Sequence, residues 1–450
     1  MRPFSSLSDG LFDGVLGRGG AAQEVRDGAW LRALLDVEAA LVTACAAAGL
    51  APPAAAAAIC AACRDIGAYD LGLLGRQAAA DGNPVVPLVR AIEALAGPAA
   101  APFVHVGATS QDVLDSAMLL VARRALTHVL ADLRAAAEAA AGLAAAHRDT
   151  VMAGRTLLQQ ALPTTFGLKA AGWTLALDHA AAQLGRIDAA LPVQLGGAVG
   201  TFAVYGERAT VVLTELARVL GLRVPVLAWH TARGPLADLA GALGAACGAV
   251  GKVGLDVCLL AQNEVGEVRE GVAGRGGSSS LPHKRNPVAA VAARAAALRA
   301  PGLVATLLTA MAQEHERAAG AWHAEWETLG ELLRATGSGA AWLRDCLESL
   351  EVDPARMAHN LGVAGNELVA EAVAVALAPK LGRTAAHELV AAAVARTHDH
   401  ASTLRTELAA DPGCSLDDAQ LSRLTTPSTG QAGQLVDRAL ASRSADKEQP

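Results

Sequence analysis

Between residues 236 and 260 the apolar positions Leu236, Leu239, Leu243, Cys247, Val250, Val253, Val257 and Leu260 recur at intervals of three and four. That period keeps one apolar stripe on a helix of many turns. Trp30, Leu34, Leu35, Val37 and Leu41 share one helical face in the same way, in a segment that runs to the Pro/Gly cluster around Asp81 to Pro87. No proline occurs between Pro102 and Pro163, Pro163 and Pro192, Pro235 and Pro282, or Pro301 and Pro354. Each gap predicts long helix, because proline breaks helix interiors. No period-2 alternation of useful length competes, so strands are not expected.

These signals predict an all-α chain in three segments. A smaller helical domain spans 1–104 and a bundle of long helices spans 105–351. A small helical domain over 352–450 opens at Val352-Asp353-Pro354 and ends in a frayed, disordered polar tail from Ser442. Composition agrees: 52% of the 450 residues are hydrophobic but only 3% aromatic, too few large rings for a β-sandwich, and the abundant Ala is the best helix former. Mean hydropathy is +0.32, yet no run of 18 or more uncharged apolar residues appears. The surplus is therefore read as buried helix and subunit contact, with no membrane partner.

A net charge of −7 without a Lys/Arg-rich block disfavours nucleic acid as a partner. The first twenty residues carry Asp9 and Asp13 and lack an apolar signal core, which predicts a cytoplasmic protein. Seven scattered cysteines make no disulfide framework, and Cys60-x-x-Cys63 lies in an Ala-rich helix without a second pair or a nearby His. Two small buried side chains are expected there. Neither a metal nor an organic cofactor is implied, and no phosphate-binding glycine fingerprint is present.

Chemistry concentrates in the stretch Gly271-Val-Ala-Gly-Arg-Gly-Gly-Ser-Ser-Ser-Leu-Pro-His-Lys-Arg-Asn-Pro287, catalytic loop 271–287, set between two helical regions. Four glycines make it mobile, while Pro282 and Pro287 fix the backbone around Lys284 and Asn286. Closed over a small ligand, such a loop brings a Ser hydroxyl near Lys⁺ in a water-free setting where an alkoxide is stabilised. A second element, His105-Val-Gly-Ala-Thr109-Ser110-Gln111-Asp112, precedes a long helix. Thr109 and Asp112 fit a capping box, and a helix start with hydroxyls and unpaired amides also suits a carboxylate.

The loop resembles the signature of the fumarase/aspartase superfamily, Gly-Ser-Ser-x-Met-Pro-x-Lys-x-Asn, departing only by Leu281 for Met. That resemblance implies a three-domain fold with a long central bundle that forms a homotetramer with shared active sites. It implies a small polycarboxylate substrate, with Ser278 as the base that moves a proton beside a carboxylate. Lys284 and Asn286 then hold that carboxylate, and the Thr109–Ser110 pair binds another. Gly154-Arg155-Thr156-Leu157-Leu158-Gln159 is similar to the superfamily's Gly-Arg-Thr-His-x-Gln region, which puts Thr156 and Gln159 among the substrate-binding candidates. Leu157 stands where fumarases and adenylosuccinate lyases carry His, and Asn83, also a binding candidate, stands where the latter place another.

Both departures match a branch of the superfamily that cyclises a carboxymuconate to its lactone, so that reaction is expected. A fumarate-releasing lyase acting on nitrosuccinate, adenylosuccinate or another succinate derivative is the alternative, and a non-catalytic helical scaffold is a remote one. A tricarboxylate needs several cations, for which Arg317 and Arg233 are candidates because Arg grips carboxylates bidentately. His230 is a candidate acid and His105 a further binding candidate.

Overall fold

The computed structural model describes residues 10–450 except 273, 278, 279, 282, 283, 364–368, 427, 449 and 450. Long helices dominate, as the periodicity predicts: Asp27–Ala47, Ser110–Ala146, Phe166–Ala190, Gly234–Leu260, Val288–Thr309 and Ala321–Glu348. The chain sorts into two compact units, each assembled from three stretches, with the divisions falling at or within these helices. The segment boundaries inferred at 104/105 and 351/352 fall close to element ends, just after the short helix Ala101–Phe103 and inside the strand Leu350–Val352.

The first unit comprises residues up to Ala136, Leu177–Leu255 and Val288–Cys346. Its core includes Leu34, Leu35 and Leu41 together with Leu239, Leu243 and Val250, all buried. Burying each such side chain contributes about 2 kcal/mol. Small residues bring the helices close: a Cβ on Gly251 would lie 2.9 Å from the Ala297 Cβ, and one on Gly244 would lie 2.9 Å from Val304. Pro301 does not end its helix, contrary to the proline rule. Val288–Thr309 runs through it, losing a backbone bond while Ala293, Ala296, Ala300 and Leu307 keep one face buried.

The second unit comprises Ala137–Ala176, Asp256–Pro287 and the chain from Leu347. Here strands do occur, against expectation. Val151–Thr156 pairs antiparallel with Gln159–Thr165, and Val268–Glu270 with Leu350–Val352. The first hairpin turns through Leu157 and Leu158 alone, at φ 50° and 67°. Two successive positive φ values define the turn whose twist suits a two-residue hairpin, a place usually given to Asn-Gly. The C-terminal region has its own core, with Val373, Leu377, Ala386, Val390, Leu404 and Leu408 buried together. Its tail is not frayed from Ser442: a helix spans Ala432–Glu448. Buried Val436, the Arg148–Asp437 pair at 2.7 Å and the Arg443–Glu138 pair at 2.6 Å hold it. All seven cysteines are free.

Candidate functional site

In the first unit the helix Ser110–Ala146 starts where the capping motif predicts. Asp112 reaches back so that its Oδ2 accepts the Thr109 N–H at 3.0 Å, and the same oxygen accepts the Gly197 N–H at 2.9 Å. Gly197 has φ 73°, a conformation that glycine adopts freely and that aims this amide at the carboxylate. The other oxygen, Oδ1, lies 2.6 Å from His230 Nε2, with both side chains buried. A carboxylate on Nε2 favours the hydrogen there, which fixes the orientation of the ring. The orienting residue, Asp112, was legible in sequence only as a cap.

Arg317 joins this cluster: Nη1 donates to Gln111 Oε1 at 2.7 Å and Nη2 to the Ala198 carbonyl at 2.6 Å. Gln111 in turn donates to the His230 carbonyl at 2.8 Å. Arg233 behaves differently and corrects the binding expectation. Its guanidinium is fully buried and is taken up by Asp115, at 2.7 Å, and by Glu325, at 2.6 Å. Asp115 also accepts from Gln111, Gln194 and Trp322. Burial opposes the charge on Arg233, but the two carboxylates outweigh it and keep its pKa above the ordinary value. Burial also raises the Glu325 carboxyl, against the pull of Arg233. This is an ion network inside the bundle, with no donor left for substrate.

His105 sits just before the helix start at φ 56°, a region that costs a non-glycine residue free energy. Its Nδ1 lies 2.7 Å from Oε1 of Glu38, a buried carboxylate on the helix Asp27–Ala47. Asn83 makes local backbone contacts. Its Oδ1 accepts from Val85 N at 3.0 Å and its Nδ2 donates to the Asp81 carbonyl at 3.3 Å, so the amide shapes the turn into the helix Val85–Ala96.

In the second unit Thr156 and Gln159 face each other across the hairpin end, and both are exposed. The hairpin is anchored at Arg155, which donates to both oxygens of the buried Glu267 at 2.9 and 2.7 Å, while Asn360 Nδ2 donates to Glu267 Oε1 at 2.8 Å. Ser278 lies outside the described residues. The loop closes at its base: Gly277 and Arg285 form a β-bridge, and the Asn286 backbone N–H and Nδ2 both donate to the Gly276 carbonyl, at 2.9 and 3.1 Å. Asn286 therefore clips the loop ends, and its Oδ1 and second Nδ2 hydrogen have no partner among the described residues. Lys284 is exposed, and among the described residues its ammonium has no partner.

The long-helix architecture is that of a class of predominantly helical lyases. A family model described as lyase matches residues 19–302, and one described as adenylosuccinate lyase C-terminus matches 367–439. The chain belongs to this lyase family. It is 47% identical over 420 residues to 3-carboxy-cis,cis-muconate cycloisomerase of Pseudomonas aeruginosa, covering 91% of each chain. It is 45% identical over 432 residues to nitrosuccinate lyase of Streptomyces davaonensis, covering 92% of this chain and 91% of that one. The crystal structure of 3-carboxy-cis,cis-muconate lactonizing enzyme from Pseudomonas putida superposes with a TM-score of 0.89 at 41% identity, covering 97% and 99% of the two chains.

Proposed function

We propose that this protein is a cycloisomerase that interconverts 3-carboxy-cis,cis-muconate and 4-carboxymuconolactone, a step of protocatechuate breakdown. The observation that carries the reading is Leu157, an apolar residue at the hairpin tip where fumarases and adenylosuccinate lyases carry His. An amine or purine leaves only with a proton delivered to it. In a lactonisation the carboxylate that adds to the double bond is tethered to it, and in reverse it leaves as a stable anion of low pKa that needs little protonation.

In the lactonising direction a carboxylate oxygen forms a C–O bond to one alkene carbon as the π bond breaks. The electron pair moves to the neighbouring carbon, beside another carboxylate, and Ser278 delivers the proton that this carbon takes up. Lys284, the second Nδ2 hydrogen of Asn286 and the Thr109–Ser110 helix start stabilise the enediolate-like charge. Thr156, Gln159, Arg317 and His105 bind the remaining carboxylates, and His230 Nδ1 is the second proton-exchanging group. No cofactor enters this scheme, so turnover should survive a metal chelator.

We place the protein in the cytoplasm as a homotetramer. The helices Gly234–Leu260 and Val288–Thr309 are long and apolar enough to cross a membrane, yet both contribute to the bundle core. The outward apolar surface of Val288–Thr309, with Leu298 70% and Val291 52% exposed, suits contact with other copies of the chain. Elimination of nitrite from nitrosuccinate is the second reading, favoured by the similarity to the Streptomyces enzyme, because nitrite also leaves without a strong acid. Ultraviolet assays with 3-carboxymuconate, nitrosuccinate, adenylosuccinate and argininosuccinate in parallel separate the readings. Turnover of the first and none of the last two is expected. Consumption of nitrosuccinate with no turnover of 3-carboxymuconate replaces the cycloisomerase with the fumarate-releasing lyase.

A further inference from the structure

Three carboxylates need fixed positive charge, and the structure removes Arg233 from the supply while Arg317 is partly spent on Gln111 and backbone carbonyls. That draws attention to His105, four residues before Thr109. Its Nδ1 contact to Glu38 spans 67 residues of sequence, and its Nε2 makes no hydrogen bond among the described residues. The backbone around it is held from a second side, since Tyr205 donates its hydroxyl to the Val106 carbonyl at 2.8 Å and packs its ring on Gly107. A left-handed histidine persists only where its surroundings determine it.

We propose that Glu38 is a positioning residue of the site: from the helix Asp27–Ala47 it fixes His105 through Nδ1, so that Nε2–H is left as a charged donor to a substrate carboxylate. The inference rests on the polycarboxylate reading above. A carboxylate on Nδ1 sets the tautomer and orients the ring, as second partners of functional histidines do. Glu38 is 1% exposed, so its charge is little screened by water. The paired imidazolium and carboxylate sum to zero, whereas a neutral His105 leaves a bare negative charge where an anionic substrate must bind. Burial lowers the His105 pKa, but the charge and hydrogen bond of Glu38, with Asp112 and Glu93 adding to them, raise it above the ordinary 6.5. The sign follows: the charged donor is fully present below pH 6.5 and is lost as pH rises through the raised value.

The test is Glu38→Gln, which retains an oxygen able to accept from Nδ1 but removes the charge. NMR titration of the His105 imidazole, assigned by His105→Asn, should show the midpoint falling by about one unit or more in the variant. At a pH between the midpoints measured for the two proteins, KM of the variant should rise severalfold while kcat stays within about threefold. The double variant Glu38→Gln/His105→Asn should lose no more than His105→Asn alone. A midpoint at or below 6.5 in the unmodified protein, an unmoved midpoint in Glu38→Gln, or additive losses in the double variant would overturn the proposal. The titration needs no turnover. If the midpoint moves as expected but 3-carboxymuconate is not converted, Glu38 keeps its role and the substrate assignment falls.

Discussion

His230 Nε2 and Asp112 Oδ1 lie 2.6 Å apart, buried, and the same Asp112 carboxylate accepts the backbone amides of Thr109 and Gly197. One side chain therefore couples the orientation of a candidate acid to the start of the helix proposed to bind carboxylate. Removing His230 as Gln, or the carboxylate as Asn, should each lower kcat/KM by about 10². Groups that act as a unit are not additive, so the double variant should lose about as much as either single one. Steady-state kinetics of the three proteins check this, and independent losses would separate the two residues.

Arg233 makes the opposite prediction. With its guanidinium between Asp115 and Glu325 and no exposure, Arg233→Met leaves two buried carboxylates without their cation. Removing one partner of a buried pair costs about 3–5 kcal/mol. Urea unfolding should register that loss. A variant with unchanged stability and a raised KM would return Arg233 to the substrate.

The loop base supplies a third case. Gly276 has φ 75°, and a Cβ there would lie 2.2 Å from the Asn286 carbonyl oxygen. Gly276→Ala should break the clip that Asn286 makes on Gly276 and cost turnover tenfold or more, at about 1–3 kcal/mol of local strain. Circular dichroism and melting should change little, because the loop lies outside the helical core. Wild-type turnover would show that loop closure does not depend on this clip.

Much of this architecture is legible in sequence because long apolar stripes such as Leu236 to Leu260 permit one secondary structure only. The hairpin at 151–165 is not, since its turn uses Leu157 and Leu158 where a reader looks for Asn-Gly, and its first strand does not alternate, with Met152 and Ala153 both buried. Single motifs placed Thr109, Ser110 and His230 near one another in role, and the structure brings the first and last onto Asp112. What sequence could not separate is a cation that serves substrate from one that serves the fold: Arg233 and Arg317 look alike until Asp115 and Glu325 arrive from other helices. The i, i+3 spacing of Asp112 and Asp115 was the available signal, two acids on one face of the helix start.

The last prediction joins the loop to the assembly. Ser278→Ala should leave a folded protein with turnover reduced by about 10² to 10⁴, the usual cost of removing a positioned proton-transfer group, and Ser279→Ala should be milder. If the motifs at Thr109, Gly154 and Ser278 meet from different copies of the chain, a site lacking both defects can form from two inactive chains. Unfolding and refolding an equal mixture of Ser278→Ala and His230→Gln should then restore up to about a quarter of wild-type activity, the share expected for random assembly of a symmetric oligomer. Light scattering should report four chains per particle. An active monomer, or a mixture that stays inactive, would confine each site to one chain and leave the outward Leu298 and Val291 surface needing another explanation.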